Sequence, residues 1–191
     1  MDAVDFHFFG NALWVDFLNT EPAGLGGRRN DLISTPEAFD RWAQAARLIS
    51  SQDAFQPNET WLEEARWFRT SLREGAEALI ADRDPPTGTI VAVNEKLARS
   101  PVVPTLIKDG SGWEVKRRSN ARLAEALLGR LAMDFAETLA SGRTSRLRQC
   151  EHPSCVMMFI DMSKNGKRRW CSMETCGNRE KAAGRRARSK R

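Results

Sequence analysis

Histidine is scarce in this chain, and long apolar runs are missing. The 191 residues hold only His7 and His152, so the side chain most often used as a general acid or base is in short supply. No stretch approaches the roughly 18–20 apolar residues that a membrane span requires. The first six residues, MDAVDF, offer neither the basic nor the apolar region of a secretory signal. A cytoplasmic, reducing location is therefore expected. Cysteine is absent from the first 149 positions; all four, Cys150, Cys155, Cys171 and Cys176, fall within residues 150–176. A reducing compartment disfavours two disulfides there and favours metal binding. With the thiols committed to metal, nucleophilic or open-site zinc chemistry is poorly supplied. An enzyme is not expected, and only a carboxylate pair in the N-terminal part could support one.

The length suits one medium domain plus a small module. The net charge of +5 is unevenly spread. Residues 142–191 hold 14 Lys/Arg against 4 Asp/Glu, a net of +10, leaving 16 against 21 and a net of −5 for residues 1–141. An acidic body with a basic end is expected when that end meets a polyanion; the blander alternative is a solvated tail.

Along the chain, residues 6–10 (FHFFG) read as a short strand closed by the turn signal Gly10-Asn11. Leu13, Trp14, Phe17 and Leu18 follow helical spacing, and residues 22–30 are loop by composition. Thr35-Pro36 predicts the cap and first residue of a helix to about Ile49, with Phe39, Trp42, Ala46 and Ile49 inward. Asn58 caps a helix to about Ala81, on which Trp61, Ala65, Phe68, Leu72, Ala76 and Leu79 form an apolar stripe. Trp67 lies off that stripe. A short helix is expected over residues 89–98, and a hairpin over 101–117 around Asp109-Gly110-Ser111-Gly112. Asn120 then opens a helix with Leu123, Leu127, Leu131, Phe135 and Leu139 on one face, ended by Ser141-Gly142. The expected class is α+β: a mixed α/β domain over residues 1–141, then a small module over 142–191, each with its own core.

In the C-terminal module the cysteines are spaced C-x4-C, fifteen residues, C-x4-C. Two cysteine pairs on facing turns can supply the four soft ligands of a tetrahedral zinc site, although four residues within a pair is wider than the tightest knuckle. His152 and Asp161 are nearby but are not needed once four thiolates bind. Residues 156–160 and 168–170 read as strands joined by a turn at Asn165-Gly166, and Ser172 caps a helix whose first turn carries Cys176. Knuckle, hairpin and helix in that order form a treble clef, with one structural zinc per chain supplying much of the folding free energy.

These residues also carry a resemblance. Cys150-x4-Cys155, Phe159, Asp161, Arg168-Arg169-Trp170-Cys171-Ser172-Met173 and Cys176-Gly177-Asn178-Arg179 closely resemble the CGNR zinc finger family. Phe8-x-Gly10 and Asp16-Phe17-Leu18-Asn19-Thr20 are similar to the opening of the ABATE domain, which precedes this finger in bacterial proteins. The resemblance implies regulators of stress-induced transcription, with a treble-clef finger for DNA and a mixed α/β domain of unassigned task.

Independently of that resemblance, residues 172–188 placed on a uniform helix put Cys176, Glu180, Ala183 and Ala187 on one face. Asn178, Lys181, Arg185 and Arg188 fall opposite, and Arg179 and Arg186 lie at the edges. Long basic side chains outward suit phosphate contacts, and Asn and Arg can also reach base edges. Arg168 and Arg169 add charge from the hairpin. A merely solvated face is the alternative. Gly177, beside a ligand, points to close backbone approach.

In the N-terminal part, Asn19, Thr20 and Arg28 beside a glycine-rich loop could hold a small polar or anionic effector; alternatively, the polar groups here only satisfy the fold. Gly24-Leu25-Gly26-Gly27 lacks the Lys-Ser/Thr ending of a phosphate loop. The sequence thus predicts a cytoplasmic DNA-binding regulator whose N-terminal domain senses a ligand or mediates association, including homo-oligomer formation. The rival is a module that binds RNA or protein. RNA would favour exposed aromatics, whereas Phe159 and Trp170 are better placed as core.

Overall fold

A computed structural model describes residues 6–22, 30–50, 55–119 and 121–189, with side chains throughout except at 117, 118 and 187–189. The first helix, α1 (Leu13–Leu18), is short and largely enclosed: Trp14, Val15, Phe17 and Leu18 are all buried. Around it pack α2 (Pro36–Ala45), α3 (Glu59–Ile80), α4 (Thr87–Arg99) and α5 (Leu123–Ala140). The predicted caps are in place. Thr35 accepts from the Ala38 N–H at 3.2 Å and Asn58 from the Trp61 N–H at 2.9 Å, satisfying donors that a helix start leaves open. Helix α2 ends at Ala45 rather than near Ile49, because Arg47 turns to a positive φ of 57° and the Leu48 N–H returns to the Ala43 carbonyl. That is a left-handed stop without the glycine that usually signals it.

The α3 stripe buries Ala65, Phe68, Leu72 and Ala76 as predicted, with Leu62 beside them and Trp61 and Leu79 at the edge. Strands β1 (Val102–Asp109) and β2 (Gly112–Ser119) form an antiparallel hairpin in which Asp109 Oδ1 accepts from the Ser111 and Gly112 N–H groups. Helix α5 begins at Leu123 after Arg122; the predicted cap, Asn120, lies outside the described residues. Gly142, at φ 72°, ends it and leads through a tight turn (Arg143–Arg146) into β3 (Leu147–Gln149). β3 pairs with β4 (Met158–Ile160), and a wide π-type turn (Met173–Gly177) runs into α6 (Asn178–Ser189).

The structure therefore has a mostly helical N-terminal region with one small hairpin, then a four-cysteine module with two short antiparallel strands. Three expectations are corrected. Residues 6–9 form no strand; instead the backbone at Gly10 bonds β4 through the Ile160 N–H at 2.8 Å. Residues 168–170 are not a strand either, since β4 takes β3 as its partner. Finally, the module has no wholly separate core. Leu147, Met158 and Ile160 belong to the same buried cluster as Trp14, Phe68 and Phe135, while Phe159, the opposite face of β4, packs with the cysteines. A three-residue strand with both faces apolar must be covered twice, and the helical region covers one face.

Candidate metal centre and basic surface

The cysteine cluster is assembled from three local structures. The strand pair β3–β4 delivers Cys150 and, through the turn closed by the Cys155 N–H to the His152 carbonyl at 2.9 Å, Cys155. The loop returning from β4 delivers Cys171, and the π-type turn, capped by Ser172, delivers Cys176. All four sulfurs lie within 4.8 Å of one another, and no disulfide joins them. Cys155 and Cys171 are 3.8 Å apart, and Cys171 and Cys176 3.7 Å. Four thiolates around one ion at a metal–sulfur distance of about 2.3 Å form a tetrahedron with an edge of about 3.8 Å. The donor set thus fits a single tetrahedral ion in number, type and spacing.

Electrostatics agree with that fit. The hydrogen bond from Cys171 draws the Cys155 thiol down to about 5. Cys171, which gives that bond and sits beside the resulting thiolate, is held far above the ordinary thiol range, and burial lifts Cys176 to about 11. Four clustered thiols cannot all ionise against one another, but a divalent cation removes the conflict. The Cys171 N–H also points at Cys150 Sγ, at 3.4 Å.

The surrounding residues hold the loops rather than the ion. Asp161 is fully buried and accepts from the Ser163 and Arg168 N–H groups, both at 2.8 Å, closing the loop between them. His152 is a loop residue whose Nδ1 meets the Ser154 hydroxyl at 3.0 Å. A Cβ on Gly177 would lie 2.8 Å from Met173 Sδ, the end of an exposed flexible side chain that can swing aside, and 3.2 Å from Trp170, so glycine there eases a close approach. A cleft of about 280 Å³ between His7, Phe9 and Arg179 opens onto Cys155 and Cys171.

The predicted DNA residues separate into groups. Arg168 is used internally: its guanidinium stacks over Phe159 at 4.4 Å and donates to the carbonyls of Trp170, at 2.8 Å, and Cys171. Arg169 lies over Trp170 at 4.7 Å and pairs with Glu151, yet stays 63% exposed. On α6, Asn178, Arg179, Lys181, Arg185 and Arg186 are all exposed, and Asn178 also donates to the Glu174 carbonyl. The Arg188 side chain lies outside the described ones. The expected inward face is corrected: Glu180 and Ala183 are exposed, while Ala182 and Gly184 are half-buried. The π-type turn carries an extra residue, so the wheel referenced to Cys176 is displaced by roughly one position, about 100°. Sequence reasoning missed Lys164 and Lys167, which line a shallow cleft with Asn165 and with Met173 of the π-type turn; their place in a loop hid them from helical-wheel analysis.

The effector residues are otherwise engaged. Asn19 is buried, and its side chain donates to the Met158 carbonyl and accepts from the Met158 N–H, both at 2.9 Å. Thr20, also buried, donates to the Phe17 carbonyl and accepts from Arg69. Neither is free to meet a ligand, and Arg28 lies outside the described residues. Arg69 and Arg73, also missed, hold this segment. Arg69 grips Asp31 through two bonds of 2.8 and 3.0 Å, and Arg73 donates to the Leu18 carbonyl and pairs with Glu21. Their signal was two arginines one turn apart flanking Leu72 of the apolar stripe.

No helix among the described residues is long and apolar enough to cross a membrane. No curated protein shows a significant match to the chain. Two family models do match: the CGNR zinc finger over residues 146–189 and ABATE, described as "putative stress-induced transcription regulator", over residues 11–142. The chain belongs to the ABATE family and carries a CGNR zinc finger at its C-terminal end.

Proposed function

We propose that the four cysteines hold one structural zinc ion per chain, and that the finger so organised binds duplex DNA through α6 and the adjoining basic loop. The carrying observation is the exposed cations of α6, Arg179, Lys181, Arg185 and Arg186, on a helix that departs directly from the turn bearing Cys176, with Lys164 and Lys167 exposed on the loop after β4. Thiolate ligands at tetrahedral spacing favour zinc over the harder cations, which prefer oxygen. With all four positions filled by protein, the ion has no open site, so its role is to fix the π-type turn from which α6 departs.

Duplex DNA is favoured over RNA because neither aromatic ring of the finger itself offers a free stacking face; the stacked pair His7 and Phe9, beside Arg179, belongs to the N-terminal segment. Phe159 is buried and Trp170 is covered by Arg169, whereas single-stranded recognition relies on stacking. In this reading the finger of a regulator binds its operator, and the helical region supplies support and association.

The test is metal content together with metal-dependent binding. Elemental analysis should give one zinc per chain, lost in Cys171→Ser, and the zinc-loaded protein should bind duplex DNA while the metal-free protein does not. Substoichiometric metal in a folded, metal-saturated sample would overturn the zinc assignment; equal DNA binding with and without metal would overturn the role given to it.

A further inference from the structure

A groove of about 460 Å³ lies between α5 and the base of the β1–β2 hairpin. From α5 it is lined by Leu123, Leu127, Arg130 and Met133, three or four residues apart, so that one side of the helix forms a wall. Ten steps of 1.5 Å give that wall a length of about 15 Å. Val102 and Ser119, paired across the root of the hairpin, stand opposite with Ser100. The hollow is therefore elongated, and its volume falls within the range of about 300–1,000 Å³ typical of small-molecule sites.

The polar side chains on this groove hold more donors than they have acceptors. Arg130 is the one charged residue among those lining it, and among the described residues its guanidinium makes only a long bond of 3.4 Å to the Leu48 carbonyl. A guanidinium carries five N–H donors and no acceptor. The Ser100 and Ser119 hydroxyls lie 3.1 Å apart, and Ser119 Oγ also accepts from the Ala121 N–H at 3.2 Å. Whichever hydroxyl donates within that pair, the proton of the other meets no acceptor among the described residues. Ser100 is only 7% exposed, where an unspent donor is costly. These groups also share one level of the groove. Gly129 packs so closely on Ser100 that a Cβ there would come within 2.6 Å of Ser100 Oγ, and Arg130 is the next residue. From Arg130 back to Leu123 the wall is apolar for about 10 Å.

We propose that this groove binds a small carboxylate with an unbranched apolar tail, the acid group on Arg130 and the serine pair, the tail along Leu127 and Leu123 against Val102. An ionised carboxylate only accepts hydrogen bonds, which matches a polar end that only has donors to give, and its two oxygens fit the fork of a guanidinium. One cation balances one negative charge, so a phosphate dianion would be left half compensated. The length of the apolar wall selects a chain over a compact ring. The inference goes beyond the DNA reading and does not depend on it.

Calorimetric titration of decanoate into the zinc-loaded full chain tests it. Binding should saturate at one molecule per chain. Octanoate, two methylenes shorter, should bind about tenfold more weakly, since each buried methylene contributes about fourfold. Decanol, which keeps the tail and loses the charge, should also bind at least about tenfold more weakly, as expected when a charged hydrogen-bonding partner is removed. Arg130→Gln should weaken decanoate by a similar factor and leave decanol unchanged. Arg130 is exposed, so the far-UV circular dichroism of the variant should match wild type. No saturable binding of decanoate up to about 1 mM, equal affinity for decanol, or full affinity in Arg130→Gln would each overturn the proposal.

Discussion

Asn19 joins the two halves of the molecule. Its carboxamide mimics a strand residue, giving the Met158 backbone both the donor and the acceptor that an edge of β4 would otherwise lack. Asn11 extends the mimicry by donating to the Ile160 carbonyl at 2.8 Å. Removing such a partner leaves buried backbone groups unsatisfied, at about 1–3 kcal/mol each. Asn19→Ala should therefore lower stability by about 2–4 kcal/mol in urea titration; a loss below half a kcal/mol would show the pairing to be incidental. Asp16 is a second residue with a defined consequence. Burial lifts its carboxyl to about 7 from 3.8, against the opposing hydrogen bond from the Gly10 N–H and with the Asp134 charge adding to the rise. The folded state keeps a proton that the unfolded chain releases above 3.8. The stabilising contribution is thus complete at lower pH and is lost as pH rises through 7, by at most about 1.4 kcal/mol per unit. Urea unfolding across that window should show stability falling with pH in the wild type and a flatter profile in Asp16→Asn. Identical profiles would place the titration elsewhere. Gly10 belongs to the same arrangement, since a Cβ there would meet Asp16 Oδ1 at 2.8 Å and Val15 Cβ at 2.9 Å.

At the scale of elements, two helix starts were legible in the sequence, while other starts, several helix ends and several strands were not. Thr35-Pro36 and Asn58 are caps whose chemistry is local, so sequence spacing identifies them. The end of α2 depends on Arg47 and that of α3 on Asp82, both at positive φ without glycine, and no residue type announces that. The cysteine cluster was legible because two paired thiols at that spacing restrict by residue type alone which side chains can meet. The partner of β4 was not, because pairing with β3 and with side-chain amides from a hundred and more residues away is a tertiary outcome that short-range turn signals cannot report. The face of α6 was misphased by a single π-type turn. That helix is exposed along most of its described length, and a helix of about 12 residues is marginal without packing. Residues 181–186 should therefore exchange their amide hydrogens readily in the free protein and become protected when duplex DNA is added. Equal protection in both states would mean that α6 is rigid before it meets a target.

At the scale of the whole molecule, an acidic helical body and a strongly basic finger share one core across the family boundary, so the finger's orientation is set by the body. Leu147, Met158 and Ile160 lie in the body's apolar cluster while Phe159, on the same strand, lies against the cysteines. Cysteine cluster, strand and helix thus form one continuous path from α1 to the cationic surface. If that surface binds DNA, affinity must depend on counterion release. With four to six phosphates neutralised, the log–log slope of affinity against salt is about −4 to −5 on duplex DNA. The most direct measurement is that slope for the zinc-loaded protein and for Lys181→Ala/Arg185→Ala, which removes two exposed charges one turn apart on α6. The account predicts a steep slope in the wild type and one flatter by about two units in the variant, with weaker binding to every sequence. A slope near zero, or an unchanged affinity and slope in the variant, would contradict it.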